Sequence, residues 1–197
     1  MSIEQLVAVA PPPQNPVFTG TRGTWQSVEE EIGIPLPTDY KQLVNIYGLG
    51  YFGGYICPLN PFLPPLPPLS LYRLQSVIAD LDQSKEYLGS NKAENVPPLP
   101  VYPEDHGVLP WGVDDNRGLQ CWRTYRSNQF WPLLILDYDW SEEYLTFSMS
   151  ATDFLTNWLT DKISVSHYPP HPLQEPLFAP YDLSKPLGQQ LWNQTTR

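Results

Sequence analysis

The chain has 197 residues and a formal net charge of −10 at pH 7, and it contains 24 prolines and two cysteines. A negative charge of this size repels nucleic acid phosphates, so it argues against direct nucleic-acid binding and favours a basic partner. No stretch approaches the roughly 18 consecutive apolar residues that a membrane helix needs. The N-terminus lacks the basic run and long apolar stretch of a signal peptide, so we expect a cytoplasmic protein with reduced, buried cysteines.

Two consecutive helices are predicted after a short N-terminal leader, residues 1–20. Residues 24–33 place apolar side chains on one helical face behind Thr24, a favourable N-cap residue, and end at a glycine. Residues 38–48 repeat this arrangement, with Thr38 as the expected N-cap and a second glycine as the stop. The pair predicts a helical hairpin.

One strand and a third helix are predicted next, on either side of a proline-rich connector at residues 61–69. The strand, residues 51–59, is aromatic and β-branched, and its glycines Gly53 and Gly54 indicate a bulge or a close approach. The helix, residues 70–89, has apolar side chains at helical spacing. The connector is expected to be extended, because proline lacks the N–H group that a helix interior needs.

The second half of the chain changes from helical to alternating periodicity. Four short runs are separated by turn-forming residues, which predicts an antiparallel meander. The runs are residues 107–113, 119–125, 131–139 and 144–150. A fourth helix is predicted over residues 150–163, where Ser150 and Asp153 have the spacing of a capping box.

The last part of the chain, residues 164–197, is again rich in proline but keeps apolar side chains. Those side chains are Leu173, Leu177, Phe178, Tyr181 and Leu183. Apolar residues at these positions predict an extended strap packed on the preceding domain rather than a disordered tail. We therefore divide the chain into the leader, a domain at residues 21–163, and this strap.

Asp114 and Asp115 are adjacent carboxylates near a tryptophan, which raises the question of acid/base catalysis. A catalytic pair needs two acids that converge on one site, and adjacent residues of a strand or turn usually point in different directions. With Asn116 and Gly118 they predict a hairpin turn instead, in which Asx side chains accept backbone hydrogen bonds and the glycine takes a positive φ. The alternate-position acids of a calcium loop are also missing.

No catalytic motif accompanies the three histidines, His106, His167 and His171. The glycines of residues 48–54 do not have the spacing of a nucleotide loop, and no helix start follows them to receive a phosphate. We therefore expect no enzymatic activity, no cofactor and no metal site.

Leucines, prolines, glycines, aromatic residues and acids recur in a distinctive order along the chain. They are Trp25, Glu29, Glu30, Leu36, Pro37, Asp39, Tyr40, Tyr47, Gly48, Gly50, Pro110, Trp111 and Gly112. In this order the chain resembles the SUKH superfamily, also called the Smi1/Knr4 family, over about residues 21–163. The resemblance implies an α+β fold with a twisted, largely antiparallel sheet flanked on one side by about four helices. It also implies the function of bacterial members, immunity proteins that neutralise polymorphic toxins, often nucleases, whereas eukaryotic members act in cell-wall and signalling regulation.

Acidic residues are concentrated in the predicted meander. Residues 101–150 hold eight acids against three arginines, so half of the net charge lies in about a quarter of the chain. From them we predict a partner-binding acidic set: Glu104, Asp105, Asp114, Asp115, Glu142 and Glu143. A basic nuclease would pair with such a surface, although charges on edge strands also serve to prevent aggregation.

Two functions remain open. One is an immunity protein, whose acidic face occludes or imitates nucleic acid at the active or substrate-binding site of a toxin. The other is a non-catalytic regulatory module of the same fold, which docks cellular proteins through the proline-rich strap. The gene neighbourhood distinguishes them, because an immunity gene adjoins a large toxin gene.

Overall fold

The computed structural model describes residues 3–20, 23–90, 99–125, 130–136, 144–166, 168–169 and 175–185, with the backbone alone at 84–90. Within them lie five α-helices and one seven-stranded sheet. The helices are α1 (Ile3–Val9), α2 (Trp25–Ile32), α3 (Thr38–Tyr47), α4 (Leu74–Ser90) and α5 (Ala151–Leu159). The strands are β1 (Gly50–Phe52), β2 (Ile56–Pro58), β3 (Val108–Asp114), β4 (Leu119–Arg123), β5 (Leu133–Leu136), β6 (Leu145–Phe147) and β7 (Phe178–Pro180). Neighbouring strands are antiparallel in the order β6-β5-β4-β3-β2-β1-β7, which confirms the predicted α+β fold.

The first two predicted helices, α2 and α3, differ in how they begin. Thr24 Oγ1 accepts a hydrogen bond from the Ser27 amide at 3.2 Å at the start of α2, and Gly33 ends this helix with φ 88°, both as predicted. In α3 the prediction of Thr38 as the N-cap is wrong, because Thr38 is already helical and Pro37 occupies the cap position. Proline fixes its own φ but offers no side-chain acceptor to the helix.

Residues 51–59 form two strands rather than the single strand predicted. Strands β1 and β2 pair antiparallel, and Gly53 and Gly54 lie between them with φ 55° and 70°. Positive φ at two successive residues is the geometry of a tight hairpin turn, closed here by a 2.9 Å hydrogen bond from the Tyr55 amide. The expected close approach does occur, since a Cβ at Gly53 would lie 2.7 Å from the Trp158 ring.

Strands β3 to β6 form the predicted meander, and α5 follows it directly. Ser150 Oγ accepts from the Asp153 amide at 3.2 Å, so the predicted cap of α5 is in place. The Thr152 amide donates to Asp39 Oδ2 at 3.1 Å and ties α5 to α3. The longest strand of the meander, β3, occupies the centre of the sheet.

Helices cover both faces of the sheet. On one face, Trp111 and Trp122 pack with Phe154 of α5 in the main hydrophobic core. On the opposite face, Leu81 of α4 packs with Cys121 and other residues of β3 to β5. The expectation of helices on one side only is therefore wrong for the part of α4 around Leu81, whereas Leu74 at the start of α4 lies in the main core. The physical reason is that successive residues of β4 point to opposite faces, and both Cys121 and Trp122 are apolar and buried.

Cys57 and Cys121 are both free and buried, as expected of thiols that pack as small apolar groups. Burial raises the pKa of each thiol. The reactive thiolate is therefore disfavoured at both positions.

Segments near both ends of the chain join the core. In α1, Ile3 and Leu6 are buried, and Tyr47 Oη donates to the Ala10 carbonyl at 2.6 Å. Strand β7 pairs with β1 at the edge of the sheet, and its Phe178 ring lies 4.8 Å from that of Tyr47. The segment predicted as a strap thus contributes a strand.

The apolar side chains of this strap do not all pack. Phe178 and Tyr181 are buried and Leu177 is half-buried, whereas Leu183 is 59% exposed. Leu173 lies outside the described residues. Packing is therefore centred on the residues that pair with β1, and the strap exposes an apolar side chain beyond them.

Candidate partner-binding surface

The turn between β3 and β4, residues 114–118, is built around the side chain of Asp114. Its Oδ1 atom accepts hydrogen bonds from the amides of Asn116 at 3.0 Å and Gly118 at 2.8 Å, which confirms the predicted Asx turn. The positive φ, 66°, lies at Arg117, so the prediction of a positive φ at Gly118 is wrong. Gly118 is needed for space instead, since a Cβ there would lie 2.5 Å from Asp114 Oδ2.

The Asp114 side chain is only 7% exposed, so the expectation that it is exposed to a partner is wrong. Its Oδ2 atom accepts from Gln120 Nε2 at 3.1 Å, and that same nitrogen donates to Tyr168 Oη at 2.6 Å. These donors compensate for the loss of water around the buried carboxylate. Burial, followed by the negative charge of Asp114, raises the pKa of Tyr168. Asp114 therefore holds the turn together.

Asp115 is the acid that this turn exposes. Its amide donates to the Tyr55 carbonyl at 3.0 Å, and Asn116 Nδ2 donates to Tyr55 Oη at 3.1 Å. Both bonds fix the backbone that carries the carboxylate. Partial burial raises the pKa of Asp115. The turn thus presents one carboxylate to solvent rather than two, and we name Asp115 the turn acid.

Glu104 and Asp105 lie in the loop that precedes β3, and we name them the loop pair. The Glu104 amide donates to the Val101 carbonyl at 3.0 Å, and the Gly107 amide donates to the Glu104 carbonyl at 3.0 Å. These bonds fold the loop into two tight turns. Both acidic side chains are exposed, and Asp105 Oδ2 lies 3.6 Å from His106 Nε2. This loop therefore presents two adjacent carboxylates.

An open cleft of about 340 Å³ lies beside the loop pair. Its walls are residues 33–34 after α2, residues 102–105 of the loop, and Thr124 after β4. The Tyr102 hydroxyl donates to the Ile32 carbonyl at 2.9 Å and joins two of these walls. Sequence reasoning missed this cleft, because 70 residues separate Ile32 from Tyr102. The only local signal was the glycine that ends α2.

The strand β3 separates the exposed acids. Glu104 and Asp105 precede this strand, whereas Asp115 follows it. Because a strand rises about 3.3 Å per residue, the ends of this seven-residue strand lie roughly 20 Å apart. The acidic set is thus divided between two ends of the sheet and does not form one patch among the described residues. Glu142 and Glu143 lie outside the residues that the structure describes.

The remaining sequence expectations concern metals and membranes. Across the described parts of the chain, no group of three or more His, Cys, Asp or Glu residues lies close enough to hold a metal ion. His106 packs edge-on against Tyr125 at 4.8 Å, and His167 and His171 lie outside the described residues. Nor does any helix in those parts have the length and apolar character needed to cross a membrane.

Comparison with known proteins relates the chain to a known family. The family model described as SMI1-KNR4 cell-wall (SUKH_6) matches residues 22–155, which is more than half of the chain. No curated protein and no solved structure matches. The matched residues run from the start of α2 into α5, and they include β3 with the loop pair and the turn acid on either side of it. The resemblance inferred from the order of residues is confirmed, and the chain belongs to the SMI1-KNR4 family of the SUKH superfamily.

Proposed function

We propose that the protein is an immunity protein, which binds a cognate polymorphic toxin and neutralises it by occluding its active or substrate-binding site. The observation that carries this proposal is membership of the SUKH superfamily, because an immunity function fits that family. The toxin in this proposal is a basic nuclease. It is the partner, and nucleic acid is not bound directly.

Charge supports the choice of a basic partner. The chain has a net charge of −10, and the loop pair and turn acid are exposed. A nuclease must present cationic groups where it binds phosphates, so an acidic protein surface complements the site that has to be blocked. Opposite charges also accelerate encounter, which matters for an inhibitor that must reach its toxin before the substrate does.

The buried carboxylate of Asp114 has an indirect role in this proposal. It accepts hydrogen bonds from Asn116 and Gly118 and so determines the path of the backbone that carries Asp115. Asp114 is therefore a positioning residue for the turn acid. Glu142 and Glu143 complete the proposed set from a part of the chain outside the described residues.

The test of this function is co-production with a toxin encoded beside the gene for this chain. Cells that make the toxin alone should stop growing, cells that make both proteins should grow, and the purified proteins should form a stoichiometric complex. A Trp111→Ala chain, whose fold should be strongly destabilised, is the matched negative control for rescue. Growth arrest in the presence of the wild-type chain, with no complex between the purified proteins, would contradict the proposal.

A second candidate, a regulatory interaction module, is favoured by exposed apolar side chains. Leu66 and Leu71, in and just after the proline-rich connector, are 66% and 41% exposed, and Leu183 of the strap is 59% exposed. Exposed apolar side chains mark a docking surface for other proteins where they form a contiguous patch. A module of this kind would lose its partner when Leu183 is changed to serine, whereas an immunity protein that acts through its acids would keep binding its toxin.

A further inference from the structure

We propose that the cleft beside α2 receives one basic side chain, arginine or lysine, from a protein partner. The inference deepens and rests on the proposed function, in which the toxin supplies that side chain. The cleft of about 340 Å³ lies at the small end of the range for ligand pockets, roughly 300 to 1,000 Å³. A cavity of this size suits a single side chain better than an extended segment of polypeptide.

One wall of the cleft supplies negative charge. Glu104 and Asp105 both line it and both are exposed. Hydrogen bonds between ionised groups are shorter and about twice as strong as neutral ones. Hydrogen bonds within the loop fix the backbone that carries the two carboxylates before any partner arrives. Little ordering of the loop is therefore required on binding.

A second wall adds a negative potential that does not depend on carboxylates. The cleft contains residues 33–34, directly after the C-terminal end of α2, where the helix dipole has its negative pole. The last turn of α2 has no Lys or Arg to offset it. Lys41 and Arg73 pair with Glu29 at 2.7 Å and Glu31 at 3.7 Å, and neither of these basic residues lines the cleft.

The apolar parts of the lining suit the stem of a basic side chain. Ile34, Pro103 and the ring of Tyr102 offer carbon surface, along which the methylenes of lysine or arginine pack while the charged end meets the acids. An aromatic ring also attracts a cation to its face. The ring of Tyr102 is held in place by the hydrogen bond to Ile32, and a Cβ at Gly33 would lie 3.3 Å from its hydroxyl. A side chain at this position would therefore crowd the Tyr102 hydroxyl.

The experiment titrates the ¹⁵N-labelled full chain with Nα-acetyl-arginine methylamide and follows amide chemical shifts. Saturable shifts are expected at Gly33, Tyr102 and Thr124. Nα-acetyl-citrulline methylamide has nearly the same shape without the charge, and it should bind about tenfold more weakly or worse, which corresponds to 1.4 kcal/mol. Glu104→Gln/Asp105→Asn should abolish the shifts. The control Asp80→Asn/Asp161→Asn removes two exposed charges that do not line the cleft and should leave the shifts intact.

The absence of saturable shifts at these amides would overturn the inference, as would equal binding of the citrulline compound. The titration of the cleft and the test of toxin neutralisation can succeed or fail independently. If the chain neutralises its toxin while the arginine compound leaves the cleft unchanged, the cleft inference fails and the function stands. If the arginine compound binds the cleft but no toxin is neutralised, the cleft stands and the proposed function fails.

Discussion

The loop before β3 and the turn after it each contain two adjacent acids, and the structure uses them differently. In the loop, the side chains of Glu104 and Asp105 are both exposed. In the turn, Asp114 is buried and hydrogen-bonded while Asp115 is exposed. The difference arises from neighbouring strands, because Gln120 of β4 lies beside the turn and donates to Asp114. Charge counted along a sequence therefore overstates the charge that a partner meets.

The largest expected effect is a loss of stability when the core of β3, the strand between the loop and the turn, is disrupted. Trp111 is fully buried in β3, with the rings of Trp122 and Phe154 each 6.3 Å away. Trp111→Ala should lower the free energy of unfolding by about 3 to 5 kcal/mol, because truncating a buried aromatic leaves a cavity. Phe130, which is 46% exposed, offers a matched control, and its change to alanine should cost no more than about 0.5 kcal/mol. Equal urea midpoints for the two variants would show that Trp111 does not anchor the sheet.

The next largest effect is the difference in stability between variants of the two acids of the turn. Asp114→Ala leaves the amides of Asn116 and Gly118 without their acceptor and should cost about 2 to 3 kcal/mol, as for other buried bonds to a charged group. Asp115→Ala changes an exposed side chain and should stay within about 0.5 kcal/mol. Urea denaturation of both variants measures the difference. Similar losses for both would mean that the turn does not distinguish its two carboxylates.

Local signals explain which parts of the fold could be predicted. The N-cap Thr24, the stop at Gly33 and the Ser150 cap depend on residues within one helical turn, and each is where the sequence indicated. The hairpin between β1 and β2 was missed although its signal was present. Two adjacent glycines between apolar runs indicate a tight turn as readily as a bulge, and the antiparallel pairing of β1 with β2 decides between them.

The candidate surface was harder to predict, because it depends on distant contacts. The burial of Asp114 involves Gln120, which in turn donates to Tyr168, 48 residues further along the chain. The cleft forms where the end of α2 meets the loop at Tyr102. Neither contact leaves a periodic trace in the sequence. The acids were identifiable from their type, but whether each is exposed was decided by tertiary packing.

A smaller effect compares the loop pair with the turn acid during association with the toxin. Neutralising Glu104, Asp105 and Asp115 together, with Gln or Asn, should slow association about tenfold at low salt, because exposed charges act mainly through steering before contact. The fold should be unaffected, since all three side chains are exposed. Stopped-flow measurements at increasing salt concentration should show a shallower dependence for the variant, as charges are screened over about 10 Å at 0.1 M.

Separate variants then show which end of β3 provides the electrostatic acceleration of association. Glu104→Gln/Asp105→Asn reports on the loop, and Asp115→Asn reports on the turn. If the loop end faces the toxin, the first variant should account for most of the slowing. An association rate and salt dependence equal to those of the wild type in the triple variant would remove all three acids from the interface.

The smallest expected effect concerns pH and the turn acid alone. Partial burial raises the pKa of Asp115 in the folded state above its usual 3.8, so the folded protein holds this proton more strongly than the unfolded chain does. The resulting stabilisation is fully present below the unfolded pKa and is lost as pH rises through the raised folded pKa. The stability of Asp115→Asn relative to the wild type should therefore increase as the pH rises from below 3.8 through the raised folded pKa. Asp161→Asn, also an exposed site, controls for the change in net charge. Urea midpoints across this range provide the measurement, and a difference that stays constant with pH or changes in the opposite direction would show that burial does not perturb Asp115.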